Sequence, residues 1–227
     1  MGSFIIRFVD IVFSVSVLVI LTPLWLIVVP LLRVTGEGDV FYRQERVGRG
    51  AKSFYLLKFA TMKRNSSSFG SGEVTLRNDP RVLPVGRFLR KTKINELPQL
   101  INILNGDMSL VGWRPQTPKY FRAFSIEIQT VLSMSRPGLS GIGSIIFRDE
   151  EEILSRAESP VRFDLDFVVP YKGELEKWFA ERVSVATYFL IIGLTAWVVI
   201  FPRSRLIWRV FPDLPRPPGE LAEGLGF

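Results

Sequence analysis

The sequence of 227 residues contains no cysteine and no histidine. The absence of cysteine excludes disulfide bonds and thiolate nucleophiles, and the two absences together exclude zinc sites built from Cys and His. A histidine general base is excluded as well. Any catalysis must therefore use carboxylates, lysine, arginine, tyrosine or hydroxyl groups, or a metal ion with oxygen ligands such as Mg²⁺.

Acidic residues are fewer than basic ones, 22 against 29, and the net charge is +7. This balance permits nucleic acid, anionic lipid or phosphorylated molecules as partners. The interleaved aromatic and basic residues typical of nucleic-acid binding are not found, so we expect no nucleic-acid partner. The length allows one domain with appendages.

The N-terminus carries a long apolar segment, Phe8–Leu32, which is uncharged after Asp10. It is long enough to cross a bilayer at ~20 residues per span, and too long for a cleaved signal peptide. Thr22-Pro23 favours a kink, because proline removes a helix hydrogen bond. Arg7 and Arg33 flank the segment, so the positive-inside tendency places both ends in the cytoplasm. A helix that breaks at Thr22-Pro23 and returns satisfies this tendency; an ordinary kinked transmembrane helix is the alternative.

Local patterns predict further elements. Two β-prone runs, Val40–Gln44 and Ser53–Leu57, flank a Gly-Arg-Gly turn and predict a hairpin. A Ser/Gly-rich stretch, Asn65 to Gly72, is typical of a loop, and a helix is expected from Tyr120 to Met134. A second apolar run, Val185 to Phe201, is marginal for spanning. We expect an interfacial or re-entrant helix there, with a second transmembrane helix as the alternative.

Two segments combine turn residues with charge. Arg136–Ser144 contains one proline and three glycines, which imply a tight backbone path that either forms a turn or brings amides close to a nucleotide. The acidic run Asp149–Glu152 is expected to be a solvated face at the start of a helix, where the dipole favours carboxylates.

The most informative block runs from Asp79 to Pro118. Apolar residues recur at helical spacing after Asn95, which fits the N-cap, and Glu96 falls in the first turn. Cationic side chains surround this helix start: Arg87, Arg90, Lys91, Lys93 and Arg114. A helix N-terminus ringed by cations suits phosphate, and a lone glutamate beside phosphate suits Mg²⁺. The alternative is a solvated basic surface beside an ordinary core helix.

The block resembles the signature of the bacterial sugar transferases, the monotopic phosphoglycosyl transferases that move a phosphosugar from a nucleotide sugar to a polyprenyl phosphate. The matching motifs, in the family's order, are Asp79-Pro80-Arg81, Gly86-Arg87-Phe88-Leu89-Arg90, Glu96-Leu97-Pro98-Gln99-Leu100, Gly106-Asp107-Met108-Ser109-Leu110-Val111-Gly112 and Arg114-Pro115. Outside the block, Lys58-Phe59 resembles the preceding family segment, and Thr22-Pro23 resembles the Ser-Pro at the break of the family's re-entrant helix. Arg7, Asp10 and Ser14 also match the family's N-terminal pattern.

The resemblance implies a helix-dominated α+β fold with a small β-hairpin and interfacial helices. Its expected divisions are a membrane re-entrant helix at 1–35, a cytoplasmic catalytic domain at 36–175, and a membrane-associated helix with a Pro-rich tail at 176–227. The implied location is the bacterial inner membrane, with the catalytic domain facing the cytoplasm. The implied partners are a nucleotide sugar, a polyprenyl phosphate and membrane lipid, and a second copy of the chain is also considered.

The resemblance also assigns site residues. Glu96 is implied as the Mg²⁺ ligand and, with residue 95, as catalytic. Lys58, Arg87, Arg90, Arg114 and Gln99 are implied to bind substrate.

Asn95 departs from the family, which carries a nucleophilic Asp at this position. An amide is a poor nucleophile at phosphorus, so the covalent step is in doubt. Three explanations remain open: an engineered replacement, a subgroup that uses direct transfer, or a chain that binds nucleotide sugar without catalysis. Two further departures are Trp113, where the family has proline, and Ala60, where it has a cation.

Overall fold

The computed structural model describes residues 2–68, 70, 74–202 and 204–225. Arg203, which follows the second apolar run, and part of the predicted loop from Asn65 to Gly72 lie outside the described residues. The described part of that loop contains a 3₁₀ turn, Ser66–Ser68.

Helices dominate the described chain. In order they are α1 Gly2–Ile20, α2 Thr22–Thr35, α3 Pro84–Lys91, α4 Gln99–Asn105, α5 Pro118–Ala123, α6 Ile126–Ser133, α7 Ile142–Ile146, α8 Glu150–Ser155, α9 Pro160–Phe163, α10 Val169–Glu181, α11 Val185–Ile200, α12 Leu206–Val210 and α13 Gly219–Ala222. A π-helical turn, Asp164–Val168, connects α9 to α10. The strands are β1 Phe41–Val47, β2 Ser53–Phe59, β3 Ser109–Val111 and β4 Gly138–Ser140. This arrangement confirms the predicted helix-dominated α+β class.

The N-terminal apolar segment is two helices that meet at Leu21. This residue has φ −88° and ψ 7°, which ends the α-helical path one residue before Thr22-Pro23. Among the described helices only α1 is long and apolar enough to cross a membrane, whereas α2 and α11 are shorter apolar helices. Large apolar side chains on α1, α2 and α11 are exposed, as a membrane-associated surface requires.

Both halves of this helix pair contact the rest of the protein. The α1 helix packs against α4, α11 and β3. The α2 helix contributes Val28 and Leu32 to a small cluster with Phe59 of β2 and Leu89 of α3. Because both helices contact parts of the same fold, the two sides of the break lie on one globular body.

A carboxyl group ties α1 to this body. Asp10 is buried, and its Oδ1 accepts hydrogen bonds from Ser109 Oγ at 3.0 Å, Leu110 N at 2.8 Å and Tyr188 Oη at 2.6 Å. Arg7, one turn earlier, donates to the carbonyl oxygens of Ile103 and Leu104 at the end of α4. These bonds satisfy polar groups that would otherwise be costly within an apolar helix.

The two sheets are small. Strands β1 and β2 pair antiparallel from Phe41 opposite Phe59 to Val47 opposite Ser53, which confirms the predicted hairpin. Strands β3 and β4 pair in parallel. A Cβ added to Gly138 of β4 would lie 2.0 Å from Gly112 N, so this pairing requires glycine. The tight backbone path predicted for Arg136–Ser144 is therefore found, and close packing is the reason for it.

Two helix predictions were wrong. The helix expected from Tyr120 to Met134 is divided into α5 and α6, because Ser125 accepts a hydrogen bond from Ile128 N and caps a new helix. Asn95 is not the N-cap of the helix that follows it. It lies within a 3₁₀ turn, Ile94–Glu96, after a left-handed Lys93 (φ 60°), and α4 starts later at Gln99. Backbone N–H groups before and at the start of α4 donate to carbonyl oxygens of the preceding turn, for example Leu97 N to Ile94 O at 3.1 Å, so they do not require a side-chain cap.

Candidate active site

Six of the predicted site residues line one large open cavity of about 1760 Å³: Lys58, Arg87, Arg90, Asn95, Glu96 and Arg114. Residues of the β1–β2 hairpin, of α3, of the 3₁₀ turn Ile94–Glu96 and of the segment from α7 to α10 line it. Apolar side chains of the N-terminal segment and of α11 also line it, among them Phe13, Leu21, Leu24 and Ile192. The cavity therefore joins a charged region to an apolar surface.

Glu96 and Arg114 form the centre of the charged region. Arg114 Nη2 donates to Glu96 Oε1 at 3.0 Å, and the Glu96 side chain is largely buried. Burial acts to raise the pKa of Glu96, but the positive charges of Arg114, Lys58 and Lys93 outweigh it and hold the pKa at about 2. Glu96 is therefore ionised at any physiological pH.

Lys58 reaches the same centre from β2. Burial is the main cause that lowers the pKa of Lys58 to about 7. The Glu96 carboxylate acts to raise this pKa, but the positive charges of Arg46, Arg114 and Arg90 lower it further. A bound anion would favour the protonated form. The structure thus brings together Lys58, Glu96 and Arg114, which the sequence places in three separate segments.

Asn95 lines the cavity beside Glu96 and is 5% exposed. Its Oδ1 has no hydrogen-bond partner within the described part of the chain. Gln99, four residues later, is also buried, and its Nε2 has no partner among those residues. Gln99 is not part of the cavity wall, so its role in substrate binding stays a prediction.

The two arginines of α3 differ in their surroundings. Arg87 is exposed at the cavity edge. Arg90 forms an ion pair with Glu151 of α8, across the cavity. The acidic run was expected to be only a solvated face. That expectation missed this pair and the pair of Glu150 with Lys172, because both partners come from distant segments.

Two motif features are structural. Asp79 and Arg81 are buried and paired, with Arg81 Nη2 2.6 Å from Asp79 Oδ2 and 2.6 Å from the Val74 carbonyl oxygen. Trp113, which replaces the family's proline, is buried against Phe121 with ring centroids 5.8 Å apart. Its indole group packs in the core and does not line the cavity.

A second polar group of the site was missed entirely. Asp164, Lys172 and Glu176 are 5%, 8% and 2% exposed and lie on the π-helical turn and α10. Glu176 Oε1 accepts a hydrogen bond from Arg114 N at 3.2 Å. Burial raises the pKa of Glu176 to about 7, although that hydrogen bond and the charges of Lys172 and Arg114 act to lower it. No local sequence pattern signals these residues, since charged neighbours such as Asp166 and Glu174 accompany them in the sequence and only tertiary packing buries one and exposes the other.

The residues present fit a magnesium ion held mainly by substrate. No group of three acidic side chains suited to a metal occurs in the described ranges. Mg²⁺ commonly uses one or two carboxylates together with substrate phosphates and water. Glu96 is ionised and adjoins the cavity, and within the described chain its Oε2 accepts no hydrogen bond, so it can serve as that carboxylate.

The sequence is similar to one protein family and to several characterised proteins. The bacterial sugar transferase family matches residues 1–202. The UDP-glucose:undecaprenyl-phosphate glucose-1-phosphate transferase of Escherichia coli (strain K12) is 33% identical over 183 residues, which cover 79% of this chain and 38% of that protein. The undecaprenyl-phosphate galactose phosphotransferase of Salmonella typhimurium is 36% identical over 214 residues, covering 88% and 41%. The exopolysaccharide production protein ExoY of Rhizobium meliloti is 34% identical over 192 residues, covering 78% and 80%.

The chain therefore spans about two fifths of the first two relatives and most of the third. The family match extends from the N-terminal helix through the charged site to the end of α11. The chain belongs to the bacterial sugar transferase family.

Proposed function

We propose that the protein transfers a phosphosugar from a UDP-sugar to a polyprenyl phosphate, as the first membrane-bound step of surface glycan assembly. The observation that carries the proposal is the cluster of Glu96, Arg114 and Lys58 in a cavity that is also lined, on part of its wall, by apolar residues of α1, α2 and α11. The charged diphosphate of a UDP-sugar and the apolar chain of a polyprenyl phosphate need a site in which a charged region adjoins an apolar surface. The names of the relatives, which act on undecaprenyl phosphate, support both substrates.

In this proposal the cations hold the donor's diphosphate. Arg114 offers a planar guanidinium group that pairs well with phosphate oxygens. Lys58 adds a charge that strengthens when the anion binds, and Arg87 and Arg90 lie along the same wall. Mg²⁺ bound at Glu96 would neutralise charge on the diphosphate as the phosphoanhydride bond breaks. Nucleoside monophosphate then leaves as the second product.

Residue 95 decides how the transfer proceeds. The amide of Asn95 is uncharged, so it is a poor nucleophile and we expect no covalent phosphosugar intermediate on it. The polyprenyl phosphate would then attack the β-phosphorus directly in a ternary complex. A second candidate function, carried by Asn95 alone, is a membrane-bound nucleotide-sugar binder without transferase activity.

The membrane arrangement belongs to the same proposal. The N-terminal helix pair enters and leaves one leaflet, with both ends in the cytoplasm and the catalytic domain facing the cytoplasm at the bacterial inner membrane. The contacts of both α1 and α2 with one globular body support this arrangement. The prediction that a second copy of the chain binds stays untested.

The deciding experiment measures UMP release from a panel of UDP-sugars, with and without undecaprenyl phosphate, for the full chain and for Asn95→Asp. Lipid-dependent release by the unaltered chain is expected. Release only after Asn95→Asp would instead show a binder that lost its nucleophile. Intact-mass measurement with UDP-sugar and Mg²⁺ tests the direct route, and a phosphosugar adduct on Asn95 or Glu96 would contradict it.

A further inference from the structure

A polar wall of the cavity next to Arg114 takes no part in the proposed phosphate binding. Asp164, Lys172 and Glu150 line it together with Ser144. Lys172 and Glu150 form an ion pair, and Lys172 also lies over the Phe147 ring, 5.0 Å from its centroid. These side chains come from α7, α8, the π-helical turn and α10, so the tertiary fold alone brings them together.

The wall contains hydrogen-bonding atoms that the protein leaves unsatisfied. Asp164 is 5% exposed, yet its Oδ1 has no hydrogen-bond partner within the described residues. The same holds for Ser144 Oγ and for Glu176 Oε2, directly behind the wall. Buried polar atoms of this kind are normally bonded, because leaving one unbonded costs on the order of 1–3 kcal/mol. An orphaned carboxylate oxygen on a residue that lines a cavity points to a ligand that donates a hydrogen bond.

The kind of ligand follows from the donors and acceptors present. Asp164 and Glu150 are acceptors, Lys172 is a donor, and Ser144 is both. A ring that carries several hydroxyl groups donates and accepts at neighbouring positions, so it can satisfy all of them. A phosphate or carboxylate ligand does not fit, since the carboxylates of Asp164 and Glu150 would repel it.

The polar wall lies close to Arg114, the residue proposed to bind the donor's diphosphate. Arg114 bonds Glu96 through its side chain and Glu176 through its main-chain N–H. Its pKa is raised mainly by Glu96, but also by Glu150 and Glu176, which lie close to it. A diphosphate held at Arg114 would therefore place the groups attached to it near this wall.

We propose that Asp164, Lys172 and Glu150 form a subsite that binds the hydroxyl groups of the donor's sugar ring. This inference rests on the proposed function, because it needs a UDP-sugar at Arg114. The wall thereby contributes to sugar selectivity, whereas Arg114 and Lys58 bind the diphosphate common to every donor. The hydroxyl groups could also be those of the ribose, and the experiment separates the two sources.

The test measures affinities of the full chain, in detergent, for UDP-glucose, UDP-galactose, UDP-N-acetylgalactosamine and UDP alone. The variants are Asp164→Ala, Asp164→Asn and Lys172→Met. Asp166→Asn is the matched control, since Asp166 lies on the same π-helical turn but is exposed and paired with Arg162. We expect each subsite variant to lose roughly 10-fold to 100-fold in affinity for the preferred UDP-sugar. Affinity for UDP should stay unchanged, which also shows that the variant is folded.

The possible outcomes separate this inference from the proposed function. If the unaltered chain prefers one UDP-sugar and the variants keep that preference and affinity, the subsite is wrong while the proposed function stands. If Asp164→Asn and Lys172→Met weaken UDP as much as UDP-sugar, the wall binds ribose and the sugar assignment is wrong. If the unaltered chain binds no UDP-sugar, both are overturned.

Discussion

At the scale of single residues, Glu96 owes its character to its neighbours. Three cations surround a largely buried carboxylate, which stays ionised and acts as their internal counter-ion. Removing the charge of Glu96 should therefore weaken the binding of UDP-sugar when Mg²⁺ is present, and leave it unchanged or strengthen it when Mg²⁺ is absent. This opposition makes the metal assignment testable.

We expect Glu96→Gln to lose roughly 10-fold to 100-fold in UDP-sugar affinity in the presence of Mg²⁺, because the ion loses its carboxylate. With a chelator present, affinity should be unchanged or higher, since Arg114 and Lys58 lose an internal counter-ion. Calorimetric titration under both conditions measures this. Glu127→Gln is the control, as Glu127 is an exposed residue of α6. An unaltered Mg²⁺ dependence in Glu96→Gln would refute the metal assignment.

If Lys58 binds the donor as proposed, donor binding should be sensitive to pH. The pKa of Lys58, lowered to about 7 by burial, means that the free protein loses this charge as the pH rises through 7. A bound diphosphate favours protonated Lys58, so the contribution of Lys58 to affinity should be constant below pH 7, and affinity should fall above it by up to about tenfold per pH unit. UDP-glucose is the suitable probe, because its diphosphate does not titrate in this range.

The control is Lys58→Arg, which stays charged and should abolish the decline in affinity above pH 7. Burial also raises the pKa of Glu176 to about 7 and that of Asp164 to about 6. Glu176→Gln therefore tests whether Glu176 causes the decline. A profile that is flat in the unaltered chain, or one that Lys58→Arg leaves sloping, contradicts the assignment to Lys58.

At the scale of elements, locally encoded features were predictable and those that depend on distant partners were not. The hairpin and the break near Pro23 were foreseen because their signals are β-prone runs, glycines and a proline at the positions concerned. The start of α4 was misplaced, since nothing local announces a left-handed Lys93. Glu96 and Arg114 were found through motifs, whereas Asp164 and Glu176 were missed because only tertiary packing brings them to Arg114.

The break between α1 and α2 carries the next prediction. The chain has no natural cysteine, so Ser3→Cys provides a single label site on α1. In intact cells, a membrane-impermeant maleimide should leave it unmodified, and lysis should expose it. Thr130→Cys, at an exposed position of α6, is the control for the globular body, which the proposal places in the cytoplasm. Labelling of Ser3→Cys in intact cells would contradict the re-entrant arrangement and indicate that the N-terminal segment spans the membrane.

Adding Pro23→Ala to Ser3→Cys tests the cause of the break. Alanine restores the helix hydrogen bond that proline cannot donate and favours a continuous helix. We expect part of the population to span the membrane and become labelled from outside. If labelling stays absent, the contacts of α1 and α2 with the globular body, rather than the proline, hold the bend.

At the scale of the whole molecule, the N-terminal helices are part of the fold. Removal of residues 1–34 should give a poorly soluble protein, because it exposes the faces of α4, α11 and β2 that α1 and α2 cover. It also leaves Tyr188, Ser109 and the Leu110 N–H without their carboxylate partner. Size-exclusion chromatography without detergent, beside the full chain in detergent, measures this. A monodisperse truncated protein that still binds UDP-sugar would contradict the prediction.

The three hydrogen bonds of Asp10 also constrain how the protein is made. Their donors lie 99, 100 and 178 residues further along the chain, so the ribosome synthesises α1 long before its partners exist. During that interval the helix carries an unpaired carboxyl group, which is costly in the hydrocarbon layer. We therefore expect α1 to wait at the headgroup level during translation. It would settle to its final depth only after Tyr188 has emerged, which makes membrane insertion a late event in biogenesis.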